Sequence, residues 1–152
     1  MVDFTSILSK PAEAIEKPKP KPVGHYLAAV QGLPQQKTVT AQGEERAVLS
    51  FKVKILMARE VEDQEALAAS GDPSSWAPLN YDIWVDTPEG EWQLRKFLTE
   101  VLGIEASGKS LGQMVGEAPG SQLLVKVGHR PYQNKQTGEP EIATQIDSVA
   151  HV

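Results

Sequence analysis

In RAVLSFKVKILMARE, Arg46 to Glu60, residues Leu49, Phe51, Val53, Ile55 and Met57 fall at alternate positions, with Ser50, Lys52 and Lys54 between them. A period of two predicts a strand with its apolar face inward and its lysines outward. Upstream, GHYLAAV (Gly24 to Val30) predicts a shorter strand that closes at QGLP. The polar stretch between them, Gln31 to Glu45, is punctuated by Gly and Pro and predicts a long loop or a flexible hairpin tip. Beyond the long strand, Val61 to Ala69 is acidic and alanine-rich, enough for one or two helical turns, and SGDPSSWAP (Ser70 to Pro78) is loop. NYDIWVD, Asn80 to Asp86, alternates again, with Tyr81, Ile83 and Val85 set against Asp82, Trp84 and Asp86.

The period then changes. Leu94, Phe97, Leu98 and Val101 recur at helical spacing, with Thr87 as a cap, Pro88 at the first helical position and Gly103 as the stop. Leu111 to Val115 predicts a short turn or helix, followed by a Pro119-Gly120 turn. QLLVKVGHR (Gln122 to Arg130) is a strand, PYQNKQTGEP a loop, and EIATQIDSVA (Glu141 to Ala150) the last strand. Three strands, one helix and two strands lack the repeated alternation of a doubly wound sheet. The order suits an all-β chain: a small, partly open five-stranded barrel of the OB type, its helix between the third and fourth strands.

KPKPKP (Lys17 to Pro22) alternates a charge with a ring-locked residue and predicts an extended, solvated linker. It divides the chain into a flexible arm and linker, 1–22, and a barrel domain, 23–152, with an acidic insertion around 60–78. In the arm, Phe4, Ile7 and Leu8 suit a short amphipathic turn. A frayed tail is its default reading, and docking onto a partner or a neighbouring subunit is the alternative.

Length and composition add bounds. The 152 residues suit one domain with a modest core, and the absence of cysteine excludes disulfides and thiolate metal sites. The first residues lack the basic start and apolar block of a secretion signal, and no run is long enough to span a bilayer, so a cytoplasmic protein is expected. The net charge of −5 argues mildly against a nucleic-acid partner. Its distribution weakens that argument. Arg59 to Glu91 holds one cation against nine acids, which leaves fourteen cations against eleven acids elsewhere. Local field, more than total charge, steers a polyanion.

One string demands a chemical reading. GIEASGKS, Gly103 to Ser110, fits the phosphate-loop pattern G-x-x-x-x-G-K-[ST] at every fixed position. A working phosphate loop follows a buried strand and opens a helix. Here the preceding residues have a helical period, and no later apolar run ends in an aspartate suited to magnesium. A polar loop between helix and strand is the better reading. His25, His129 and His151 are isolated, the acids lack calcium-ligand spacing, and no nucleophile motif occurs. No catalytic residue, metal or cofactor is expected.

The positive signal is a binding surface. An OB barrel presents oligonucleotides to its strand 2–3 face and to the loops joining strands one to two and four to five. Lys52 and Lys54, with Arg46 nearby, fall on that face. Lys37 falls in the first loop, and Arg130, Tyr132 and Lys135 fall in the second, beside His129 and Asn134. Trp76, amid the Ser70–Pro78 loop, and Tyr26 are further stacking candidates. Trp84 shares a strand face with Asp82 and Asp86, where it either caps the barrel edge or lies in a groove. Trp92 reads as core or rim.

The G-x-Y strand, the long basic strand, the acidic insertion, then LRKFLTEVLGI, GKSL and a hairpin with KQTGE resemble small phage-type single-stranded DNA-binding proteins over roughly Val23 to Val149. The resemblance implies an OB fold that coats single strands in viral replication or recombination, in the host cytoplasm, without enzymatic activity. It makes GKSL the turn after the packed helix. Implied partners are single-stranded DNA and replication or recombination proteins, with a homo-oligomer left open and no membrane. The chain ends QIDSVAHV, lacking the acidic tail of many such proteins, so the arm or the acidic insertion is left to recruit partners. The rivals are an OB-like protein-interaction or structural module and, behind it, a nucleotide-dependent enzyme using Gly103 to Ser110.

Overall fold

The computed structural model describes residues 4–9, 11–12 and 20–152. Lys17, Pro18 and Lys19, the first half of the predicted linker, lie outside the described residues. The element order is α1 (Phe4–Leu8), β1 (Gly24–Val30), β2 (Gln35–Ala41), β3 (Glu44–Val61), α2 (Gln64–Ala69), β4 (Leu79–Trp84), α3 (Pro88–Lys96), α4 (Leu111–Glu117), β5 (Gln122–Gln133) and β6 (Pro140–Ala150). The chain is mostly antiparallel β, with one main helix between β4 and β5.

β3 organises the sheet. Its first half pairs with β2 and β4, and its second half pairs with β1, which in turn pairs with β5 and β5 with β6. Among the described residues no ladder joins β4 to β6, although their Cα atoms approach within 8 Å. The core fills the concave side. Tyr26, Ala28 and Val30 of β1, Phe51, Val53 and Ile55 of β3, and Leu123, Val125 and Val127 of β5 are all buried. Each such side chain contributes roughly 1.5–3 kcal/mol on burial, alanine less.

α3 closes one end of this core. Thr87 accepts from the Gly90 amide, Pro88 occupies the first turn, and Leu94, Phe97 and Leu98 point inward. The last turn, Phe97–Val101, widens so that the Leu102 amide donates to the Phe97 carbonyl at 3.0 Å. Phe97 packs against Phe51 and Tyr81, each at 5.0 Å between ring centroids.

Four expectations need correction. Gln31–Glu45 is no long loop: QQKTVTA forms β2 and turns back through Gln42 and Gly43, whose φ values are +54° and +82°. A two-residue turn with both residues left-handed matches the twist of paired strands. PYQNKQTGEP is likewise mostly strand, and only its tip is turn. Met57 is 50% exposed instead of core, because the register of β3 against β1 slips once between Ile55 and Met57 and again between Ala58 and Glu60. Each slip inserts an extra residue and reverses which face the following side chains take. Finally, the end of the linker is held instead of solvated. The Lys21 amide donates to Thr144 Oγ1 at 2.9 Å, its carbonyl sits 2.6 Å from His129 Nε2, and Pro22 is buried.

Candidate nucleic-acid interface

The outward side of the β2–β3–β4 sheet gathers several predicted residues. Cross-strand pairing sets Lys37 opposite Val48 and Val48 opposite Trp84, so these three form one row. The next rows are Gln35, Ser50 and Asp82, then Lys52 and Asn80. Directly opposed side chains lie roughly 4.5–5.5 Å apart at Cβ. Val48 and Ser50 form a buried floor, while Trp84 is 39% exposed and Lys52 is exposed. Among the described residues the Ser50 hydroxyl has no hydrogen-bond partner.

Arg46 lies against Trp84, its guanidinium carbon 4.9 Å from the ring centroid. Two hydrogen bonds hold it there: Nε donates to Asp86 Oδ2 at 2.8 Å and Nη2 to Oδ1 at 3.1 Å. The same carboxylate accepts the Ala47 amide at 3.1 Å. The Arg46 bond holds the Asp86 carboxyl below its usual range and raises the guanidinium further. The pair is fork-to-fork and fixed in orientation. The sequence offers Trp84 either as a cap on the barrel edge or as a groove residue, and its outward position between two acids on an alternating strand is the signal for this face.

The edges of β4 and β6, unpaired among the described residues, border a cleft of about 470 Å³ lined by Asn80, Tyr81, Asp82, Arg130, Thr144 and Gln145, among others. It carries the outward face of β4 across to Arg130. Tyr132 is two residues further along β5, on the same strand face. Its hydroxyl donates to Glu141 Oε2 at 2.6 Å, and Asn134 Nδ2 donates to Oε1 at 3.1 Å. Lys135 stands exposed at the hairpin tip. Lys37, Arg46, Lys52 and Arg130 therefore share one connected surface, with Tyr132 and Lys135 at its outer end.

Three predicted residues are placed elsewhere. Tyr26 is fully buried and donates to the Pro22 carbonyl at 2.7 Å, and burial pushes its hydroxyl up to about 12. Trp76 is 5% exposed: its Nε1 donates to the Ser70 carbonyl at 2.9 Å, and its ring meets Tyr26 edge-on at 5.4 Å. Neither offers an open ring face unless the loop lifts. Lys54 points its ammonium at the Trp76 carbonyl, 2.8 Å away, and so clips that loop down. Sequence reasoning missed this because Ser70–Pro78 is polar around a single large ring.

The phosphate-loop string has a structural role. Helix, not strand, precedes it; Ser110 caps α4 through a reciprocal box with Gln113; and Lys109 pairs with Glu117 at 2.9 Å. Among the described residues no group of three or more His, Asp or Glu could hold a metal ion, and no helix is long and apolar enough to cross a membrane.

No protein-family model matches the chain. No curated protein matches it. Among solved structures it is similar to yeast RPA bound to ssDNA, at 10% identity and a TM-score of 0.38, over 100% of this chain and 88% of that one.

Proposed function

We propose that this chain is a non-enzymatic binder of single-stranded DNA with little sequence preference, built on an OB-type barrel and acting in replication or recombination. One observation carries the reading: an outward sheet face sets a half-exposed tryptophan among Lys37, Arg46 and Lys52, and a polar cleft continues it to Arg130. Unpaired strands need an aromatic surface for the bases and cations along the backbone. The strand order β4-β3-β1-β5-β6, with β4 and β6 edge to edge, supports the barrel assignment. Trp84 takes the stacking role that the sequence offered to Trp76 and Tyr26. Tyr132 and Lys135 extend the path along the β5–β6 hairpin.

Titrating short oligo-dT while following tryptophan emission, at several salt concentrations, tests this. Quenching with an affinity that drops steeply as salt rises is the expected result, because bound cations displace counterions from the strand. Flat emission together with no gel shift at low salt rejects the proposal.

A further inference from the structure

One acid stands where a surface for a polyanion should have none. Asp82 lies exposed on the outward face of β4, in the row Gln35, Ser50, Asp82 and one row from Lys52. Arg46 neutralises Asp86, but among the described residues the Asp82 carboxylate makes no hydrogen bond or ion pair. Unpartnered, it repels a phosphate backbone. Next to it in the row is a second unengaged group. Ser50 is 2% exposed, and its hydroxyl finds no partner among the described residues. Buried polar groups are nearly always paired, so an orphan at a candidate site points to something that binds there.

Both groups lie where a stacked base would arrive. Arg46 and Asp86 occupy the row on one side of Trp84, with the guanidinium carbon 4.9 Å from the ring centroid. A base reaching the ring therefore comes from the other side, over the Gln35–Ser50–Asp82 row. That row is about 7 Å further along the strands, within the span of a base. Serine is the shortest side chain there. Gln35, Lys52 and Asp82 around it are longer and exposed, and a base edge parts their tips to reach the hydroxyl. Lys52 one row on, and Arg130 across the cleft that Asp82 also lines, are placed for the flanking phosphates.

Donor count selects the base. A carboxylate only accepts, through two oxygens. In an unpaired strand the Watson–Crick edges are free. Guanine presents two adjacent donors on that edge, N1–H and the exocyclic amino group, with O6 as an acceptor beside N1–H. The carboxylate takes the two donors in a charge-assisted fork, and the serine hydroxyl donates to O6. Thymine offers one donor between two carbonyl oxygens, which the carboxylate repels. Cytosine and adenine each offer an amino group beside a ring-nitrogen acceptor, so one carboxylate oxygen goes unmatched. We propose, resting on the single-stranded DNA reading above, that Trp84, Ser50 and Asp82 form a guanine-preferring subsite on an otherwise sequence-blind path.

Competition against a labelled oligo-dT, read by anisotropy, tests this with short dT strands carrying one central dG, deoxyinosine or dT. The dG strand is expected to compete about tenfold better than all-dT. Deoxyinosine, which lacks only the exocyclic amino group, should fall between them. Asp82→Asn should bring the dG and all-dT strands level while all-dT affinity holds or rises. Ser50→Ala should weaken the dG and deoxyinosine strands together, since both keep O6, with a thermal midpoint no lower than that of the unsubstituted chain. Equal competition by dG and all-dT strands overturns the guanine subsite and leaves the DNA-binding reading standing. A dG preference that survives either substitution undiminished overturns it as well. If oligo-dT itself fails to bind at low salt, both fall.

Discussion

Trp84 and Arg46 define how the outward face can work. The guanidinium covers one side of the ring while Asp86 holds it by two bonds, so an incoming phosphate competes with a carboxylate already in place. Replacing Asp86 by Asn keeps an acceptor for the Ala47 amide but removes the charge, and should tighten oligo-dT binding several-fold in the fluorescence titration. Acid acts the same way. Asp86 is depressed below an ordinary carboxyl pKa of about 3.9, so the latch is complete above that value and opens only as pH falls below it. Trp84→Ala removes the stacking surface and should weaken binding by about 1–3 kcal/mol, read by anisotropy of a labelled oligonucleotide, with the thermal midpoint little changed. Lys54 predicts the reverse pattern. Its ammonium is engaged by the Trp76 carbonyl, so Lys54→Met should leave affinity unaltered while amide exchange quickens through residues 70–78.

The outward face depends on how β4 and α3 are joined. Gly90 in the first turn of α3 lies against the Trp84 carbonyl so closely that a Cβ would come within 1.6 Å of that oxygen. Gly90→Ala must push the helix off the strand, and a large drop in the urea midpoint is expected, with loss of DNA binding as a secondary effect. Where an element faces the core, its sequence reveals it: β1, the first two-thirds of β3 and α3 follow from alternation or from i, i+3, i+4 spacing. β2 does not, because a hairpin with polar residues on both sides has no apolar period to read, only Thr38, Val39 and Thr40 as β-branched hints. The outer halves of β5 and β6 escape for the same reason. They pair beyond the core, where Arg130 through Gln133 lie exposed and nothing constrains their polarity.

For the molecule as a whole, the acidic excess is only partly separated from the cationic face, because Asp82 and Asp86 stand on that face beside Ser50 and Arg46. Glu62, Asp63, Glu65 and Asp72 belong to the α2 segment, whose loop is fixed by Trp76, and the lysines and arginines of the face are carried by strands and hairpins. The charge count groups Asp82 and Asp86 with the α2 acids and so misses this split; Lys37, expected in a loop, stands on β2, and only the alternation that sets Arg46 and Lys52 on one side of β3 was legible. The third dimension was not: alternation states which side a residue takes, but it cannot show that Trp76 folds in over Tyr26 or that two slips in β3 turn Met57 outward. One tie reaches further. The backbone of Lys21 is gripped from both sides, by Thr144 through its amide and by His129 through its carbonyl, and these two residues face each other across the β5–β6 ladder. A pull on the N-terminal segment is therefore shared by two strands in the middle of their length and reaches the hairpin bearing Arg130 before it loads β1. Mechanical strain at one end of the molecule would be felt first at the opposite wall of the cleft.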